Sequence, residues 1–466
     1  MPVSQNLTAA PARSAAARFR SVLHSRPVLL GAFAFAVMAD PVSSVAYAIE
    51  AALRALHGDL RLLLVTMGLV VAIIGVIIVN YQQLVARYPQ GGGAAAAAGE
   101  AFGEAWAFVP IGALIVDFVL TIAISVSAGS SAVIAYLPGL ADWRIPLALG
   151  LLIFVAAVTW FGHLGRTLFA VLAVLFIIAG TIVVIDGFIG GTPHTDVATD
   201  PGHTPILAVA LAFPVAMALA TGVEAPSSAI AQLGQLDDRG RRRFGQITLW
   251  LTLGVVGGLT LGLTAAAVYL HIGVPDTDST QLADLARAAT SPVVYAFFQA
   301  TTALLLLSAA SSSFQAGPGL LKALARRTDP TGREGGILPA VLGHTNIHHT
   351  PYWGVAVFAG VSAAVTVAAD GQDQRLVLFY AVAVFVSFLT GLIAMAHFSR
   401  RARQRKWFAV NLFGATVVTF TLIVNLARGE PLASLAAALL LAALLYWGWT
   451  RAGRPRGIAH ATIEAA

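Results

Sequence analysis

Twelve stretches of this 466-residue chain are each apolar for about twenty residues, and that pattern restricts its fold more than any other feature. Inside hydrocarbon, only helices and closed barrels satisfy every backbone polar group, and a helix needs roughly 20 apolar residues to cross. The stretches run approximately over 28–56, 60–87, 107–137, 145–162, 166–190, 204–232, 244–271, 291–321, 352–369, 375–398, 408–427 and 431–450. Residues 90–106 read as a separate short interfacial helix. Composition agrees, since 58% of the residues are hydrophobic and only 11% charged, which lies outside the range of soluble domains. The expectation is an all-α integral membrane protein with about 12 transmembrane helices, multi-pass in the cell (inner) membrane.

The net charge of +6 suggests nucleic acid until its distribution is examined. With both termini cytoplasmic, 22 of the 28 Lys and Arg residues fall on the cytoplasmic side of the ladder. The opposite loops hold only Arg54, Arg61, Arg144, Arg287, Arg375 and Arg428, together with most of the loop acids, including Asp276, Asp278, Asp284, Asp370 and Asp373. This is the positive-inside asymmetry, so the charge reports topology and no nucleic-acid partner is expected. The basic tail PARSAAARFRSVLHSR is read as the cytoplasmic flank of the first span rather than a transit peptide, because the same bias recurs at later inner loops. Disulfides and thiolate metal sites are excluded, because the chain has no cysteine.

Two of the spans carry the same fault. The first contains Asp40-Pro41-Val42-Ser43-Ser44, and the sixth contains Glu224-Ala225-Pro226-Ser227-Ser228. Five steps separate them, so the two segments cross in opposite directions, as in five-helix inverted repeats that each open on a discontinuous helix. The expected organisation is a tail over 1–27, a first repeat over 28–190, a loop over 191–203 and an inverted repeat over 204–398. Accessory helices 11 and 12 follow over 408–450, with a cytoplasmic tail over 451–466. A proline removes a backbone donor and opens the helix, and freed backbone groups are tolerated at membrane depth only against protein or water. One kink alone is more simply a packing device, with Ser bonding back to its own helix. Two matched kinks, each with an acid that is expensive in a membrane, point instead to a shared central site.

Further polar residues extend this constellation. Asp117, Thr121 and Ser125 stand at i, i+4 and i+8, which places an acid and two hydroxyls on one face of the third span. Such a stripe suits a hard cation or a proton relay, although Thr and Ser alone also serve as glue between helices. Ser311 and Ser312 in the eighth span make a candidate second cation site, against a packing role for small residues. Tyr380 in the tenth is a candidate gate or ligand, against membership of an aromatic belt. YPQGGGAAAAAGEAFG lacks the Lys-Ser/Thr of a phosphate loop and reads as a hinge or interfacial turn. GHTNIHHTP offers three histidines but no further ligand at metal spacing, so a solvated loop is expected. No nucleophile–base pair is evident, and the chain is not expected to be an enzyme.

At these residues the sequence resembles the amino acid–polyamine–organocation (APC) superfamily with its LeuT-like 5+5 fold. The likeness is strongest to its KUP- and KimA-type potassium importers. The matching pieces are SSVAYA, YPQGGGA, DFVLTIAISVSAG, TGVEA, QATTALLLL and LFYAVAVFVSF. The resemblance implies that Asp40, Tyr47, Asp117, Thr121, Ser125, Thr221, Glu224 and Tyr380 hold the cation and couple it to protons. Pro41 stands where the family has a small residue, and an alanine run replaces the tyrosine usual after the triple glycine. Only about sixteen residues follow the last span, where those importers carry a sizeable cytoplasmic domain.

The expected function is proton-coupled uptake of potassium or a similar cation by alternating access, with Asp40, Asp117 and Glu224 as proton-coupling candidates. Potassium and protons are the expected cargo, with sodium a weaker candidate, and no cofactor is expected. The alternative is a proton-coupled amino acid or polyamine permease, and a third reading is a non-transporting membrane sensor or scaffold. An acid at the first break repels a carboxylate and attracts a cation, which favours the first of these. The expected partners are the lipid bilayer and a small ion or molecule, with a homodimer as a candidate assembly.

Overall fold

The computed structural model describes residues 26–161, 166–191, 204–230, 233–326, 336–429, 431–455 and 457. The first span consists of α1 (Arg26–Ser43) and α2 (Val45–Ala55), followed by α3 (Leu60–Arg87), the short α4 (Gly93–Phe102) and α5 (Phe108–Tyr136). Next come α6 (Arg144–Trp160) and α7 (Arg166–Ile189). The sixth span is α8 (Pro205–Ala216) and α9 (Ala225–Ala229), and it leads into α10 (Asp238–Tyr269) and α11 (Gln281–Ala289). The chain continues through α12 (Pro292–Ala325), α13 (Tyr352–Ala368), α14 (Asp373–Arg401), α15 (Arg405–Ala427) and α16 (Leu432–Arg451).

Among the described residues, eleven helical segments are long and apolar enough to cross a membrane. The twelfth, α13, has 17 residues, at the short end of what spans a bilayer. The structure is all-α, with helices 1 and 6 interrupted as in a LeuT-like fold.

The apolar runs mark the membrane portion of each helix and understate its full length. α10 begins at Asp238, ahead of the apolar run, because its first turn DRGRRR is helical outside the apolar zone. Asp237 caps that turn by accepting from the Gly240 N–H at 2.9 Å. α4 is the short helix anticipated over 90–106. Gly91 and Gly92 precede it and Gly93 begins it, with φ of 94°, 96° and 48°, a left-handed run that glycine alone tolerates readily. The alanines Ala94–Ala98 then bury against the bundle, chiefly against α14. The triple glycine is thus a turn that lets a small-residue helix pack closely.

The two interruptions differ from the places their prolines suggest. Pro41 lies inside α1, and the helix yields only at Ser44, one residue wide. In the sixth span the α-helix ends at Ala216, tightens over Met217–Ala220, and turns through 221–224 with Gly222 at φ +72°. Pro226, Ser227 and Ser228 come after this break. Pro226 sits in the first turn of α9, where its missing N–H has no partner to lose, so it starts the half-helix rather than opening it.

Candidate functional site

Asp40 on α1, Asp117 on α5 and Glu224 at the second break line one cavity of about 510 Å³. All three are within electrostatic range of one another. The breaks meet at van der Waals contact: a Cβ placed on Gly222 would lie 2.8 Å from the Asp40 Cγ and 3.0 Å from the Pro41 Cδ. Ser44 Oγ donates to the Leu219 carbonyl at 3.0 Å, tying the first interruption to the second. Buried Asp40 Oδ1 and Glu224 Oε2 have no hydrogen-bond partner. Carboxylates that line a cavity and keep an oxygen without a donor are suited to a cation or a proton.

From the carboxylates the cavity passes Ser312 and Gln315 and reaches Lys322, Arg326 and His349 at its mouth. At the other end a polar network closes over Tyr47. Glu50 pairs with Arg54 at 2.8 Å and accepts from the Gln281 N–H at 3.0 Å. Asp373 accepts from Ser131 at 2.7 Å and from Gln374 Nε2 at 2.9 Å, and Gln374 also reaches the Tyr47 carbonyl at 3.4 Å. Arg144 donates to Ser131 at 2.7 Å and to the Thr277 carbonyl. Glu50 and Asp373 are buried and hydrogen-bonded, so this end is closed by polar contacts as well as by packing.

Other residues anticipated from sequence fall in the same region with varied roles. Tyr47 is buried beside Asp40, and its side chain hydrogen-bonds to Thr221. Thr221 itself donates to the Ala218 carbonyl at 2.6 Å. Thr121 and Ser125 are buried on the Asp117 face of α5, but they do not line the cavity. The break serines mostly satisfy their own helices: Ser43 donates to the Asp40 carbonyl, Ser227 to that of Glu224 and Ser228 to that of Ala225. Ser312 faces the cavity while bonding back to Ala309, and Ser311 accepts from Gln315 at 3.4 Å outside it. Tyr380 lies on α14, and its side chain is outside the described residues. Among the described residues no group of three His, Cys, Asp or Glu side chains is placed to hold a metal ion.

The family model for amino acid permeases matches residues 29–454. The chain belongs to the amino acid permease family. The potassium transporter KimA of Bacillus subtilis (strain 168) is 28% identical to this permease over 399 residues, covering 81% of the chain and 63% of KimA. The permease thus spans less than two thirds of that relative's length. A crystal structure of a manganese transporter variant from Eremococcus coleocola superposes on it with a TM-score of 0.50 at 15% identity, covering 92% of the permease and 96% of its own chain. That likeness concerns the fold. The permease is a membrane transporter and not an enzyme.

Several participants escaped the sequence reading. Glu50 is not singled out by its sequence context, and Asp373 counts among the loop acids; only tertiary packing shows both buried. Tyr81, fully buried on α3, lies within electrostatic range of Glu224 and hydrogen-bonds to Ser387. His349 belongs to a loop expected to be merely solvated, yet it stands at the cavity mouth. The one available signal was Gly222, since a glycine within TGVEA allows the left-handed turn found there.

Proposed function

We propose that the permease imports potassium, or a monovalent cation of similar size, together with protons. Asp40, Asp117 and Glu224 share cation and proton occupancy in this reading. The observation that carries it is the charge arrangement of the cavity: three carboxylates at its base, and its basic side chains confined to the far mouth. A carboxylate-bearing substrate would meet like charge at the base, whereas a cation finds oxygens without donors. The similarity to a potassium transporter supports the same choice.

The Lys and Arg distribution supports an orientation in which the mouth at Lys322 and Arg326 faces the cytoplasm. The Glu50–Asp373 end then faces outward, so this conformation is inward-facing with its outer side closed. Transport requires that outer network to open while the inner cavity closes, as one repeat rocks against the other. Tyr47 and Thr221 lie between the carboxylates and the outer closure in this reading, with Tyr380 contributing from α14. Ser311 and Ser312 remain a candidate second cation site, and a homodimer remains a candidate assembly.

A second reading is a proton-coupled amino acid or polyamine permease. The cavity volume of about 510 Å³ favours it, since that exceeds the need of a bare ion and falls within the range of small-molecule sites. Complementation decides between them. A bacterium lacking potassium uptake should grow at low potassium with this gene, and not with Asp40→Asn or Glu224→Gln. Absent rescue combined with saturable uptake of a labelled amino acid or polyamine would overturn the potassium reading.

A further inference from the structure

α15 lies outside the two repeats, yet it carries a continuous buried stripe. Asn411, Gly414, Ala415, Val418, Thr421 and Asn425 are its buried residues, while Leu412, Phe413, Phe420 and Ile423 on other faces are exposed. Polar residues stand at both ends of the stripe, about 21 Å apart along the axis. At one end Asn411 exchanges hydrogen bonds with α3, donating to Gln83 at 2.9 Å and accepting from Asn80 at 3.0 Å. At the other end Asn425 Nδ2 donates to the Pro214 carbonyl of α8 at 3.3 Å, and Arg428 donates to the Leu211 carbonyl.

The second contact falls where the helix needs it. α8 stops at Ala216, and the N–H that caps its end is directed to the Phe213 and Val215 carbonyls. Asn425 adds a donor from a neighbouring helix at the Pro214 carbonyl between them. α15 is also joined to α14 by a tight turn with Arg403 at φ 56°, and Gly414 allows close approach, since a Cβ there would lie 2.8 Å from Leu392 on α14. α8 is thereby fastened to the α14–α15 hairpin. The outer network fastens α2 to that same hairpin through Gln374 and the Tyr47 carbonyl.

We infer that Asn425 and Arg428 are positioning residues that restrain the outer half of broken helix 6 against the α14–α15 hairpin, so that α15 opposes outward opening. The inference rests on the alternating access proposed above. It assigns a mechanical part to a helix outside the repeats, and it is independent of which cation is carried.

The chain has no cysteine, so a single introduced thiol is an unambiguous probe. Ala128 is buried on α5, one turn from Ser131 of the outer closure. In Ala128→Cys protein, labelling of intact cells by a membrane-impermeant maleimide reports outward opening. Adding Asn425→Leu should raise the labelling rate roughly fivefold or more, as expected for loss of a buried hydrogen bond made in one state only. Asn425→Gln, which keeps the amide donor, should restore most of the parental rate. Asn411→Leu removes a buried bond of similar kind that does not reach helix 6, and it should leave the rate at the parental value.

Equal rates for Asn425→Leu and the parent overturn the restraint, as does an equal acceleration by Asn411→Leu, which would mean general loosening. If Asn425→Leu does not reach the membrane, Arg428→Ala decides by the same measure. A parent thiol that stays unlabelled in potassium, in sodium and across pH, in every variant, would instead remove alternating access itself and the restraint with it.

Discussion

Gly222 rests directly on the Asp40 carboxyl: an added Cβ would lie 2.8 Å from both Cγ and Oδ2. The two interrupted spans therefore meet at the acid itself, not merely near it. Their contact depends on a residue without a side chain in a left-handed conformation, φ +72°.

Gly222→Ala should accordingly impair transport more than stability. The left-handed backbone costs about 1 kcal/mol for alanine, which a folded membrane protein can absorb. The clash with Asp40 and Pro41 must push the carboxylate aside and spread the two breaks. Rubidium uptake should fall tenfold or more in cells that express the variant at parental levels. Uptake within twofold of the parent would show that the contact can relax harmlessly.

Neutralising the site acids should lower activity while preserving or improving stability. Asp40 Oδ1 and Glu224 Oε2 lack partners in the described structure, and uncompensated buried carboxylates oppose folding. Asp40→Asn and Glu224→Gln should each reduce uptake more than tenfold and melt at or above the parental temperature in a cation-free detergent scan. Both variants melting well below the parent would mean that the carboxylates hold the fold rather than the cargo.

The architecture and the three acids that line the cavity stood out in sequence for the same reason. An acid in an apolar run stands out against its neighbours, and so does a proline. What was illegible depended on neighbours far along the chain. Asp373 counts as a loop acid by position, and only Ser131, 242 residues away, and the adjacent Gln374 show it as the centre of a buried closure. Pro226 misled in the opposite direction. Proline marks helix starts as readily as helix breaks, and the pattern alone does not distinguish them.

The coupling of proton to cation should reside in one of the three carboxylates. If they share occupancy, removing the proton-carrying one leaves cation movement that no longer follows the pH gradient. In proteoliposomes, one among Asp40→Asn, Asp117→Asn and Glu224→Gln should retain rubidium counterflow while losing uphill uptake driven by an inward proton gradient. If all three lose counterflow and uptake together, binding and coupling are inseparable at this site. If none is affected, the cavity base is not the transport site.

The outer closure offers the most direct control of conformation. Ser131, Asp373 and Gln374 join α5 and α14 to the backbone of α2 through bonds of 2.7 to 3.4 Å. Each such bond inside a membrane protein contributes roughly 0.6 kcal/mol on average and less than about 2. Asp373→Asn keeps the shape of the side chain but removes the charge that the Ser131 and Gln374 donors complement. Its loss should therefore shift the population by about 3- to 30-fold rather than abolish folding. In the Ala128→Cys background, Asp373→Asn should speed external labelling by that factor. It should also raise the apparent affinity for external cation, since less binding energy is needed to open the outer side. Unchanged labelling combined with a large loss of thermal stability would reduce the network to a structural support of α14.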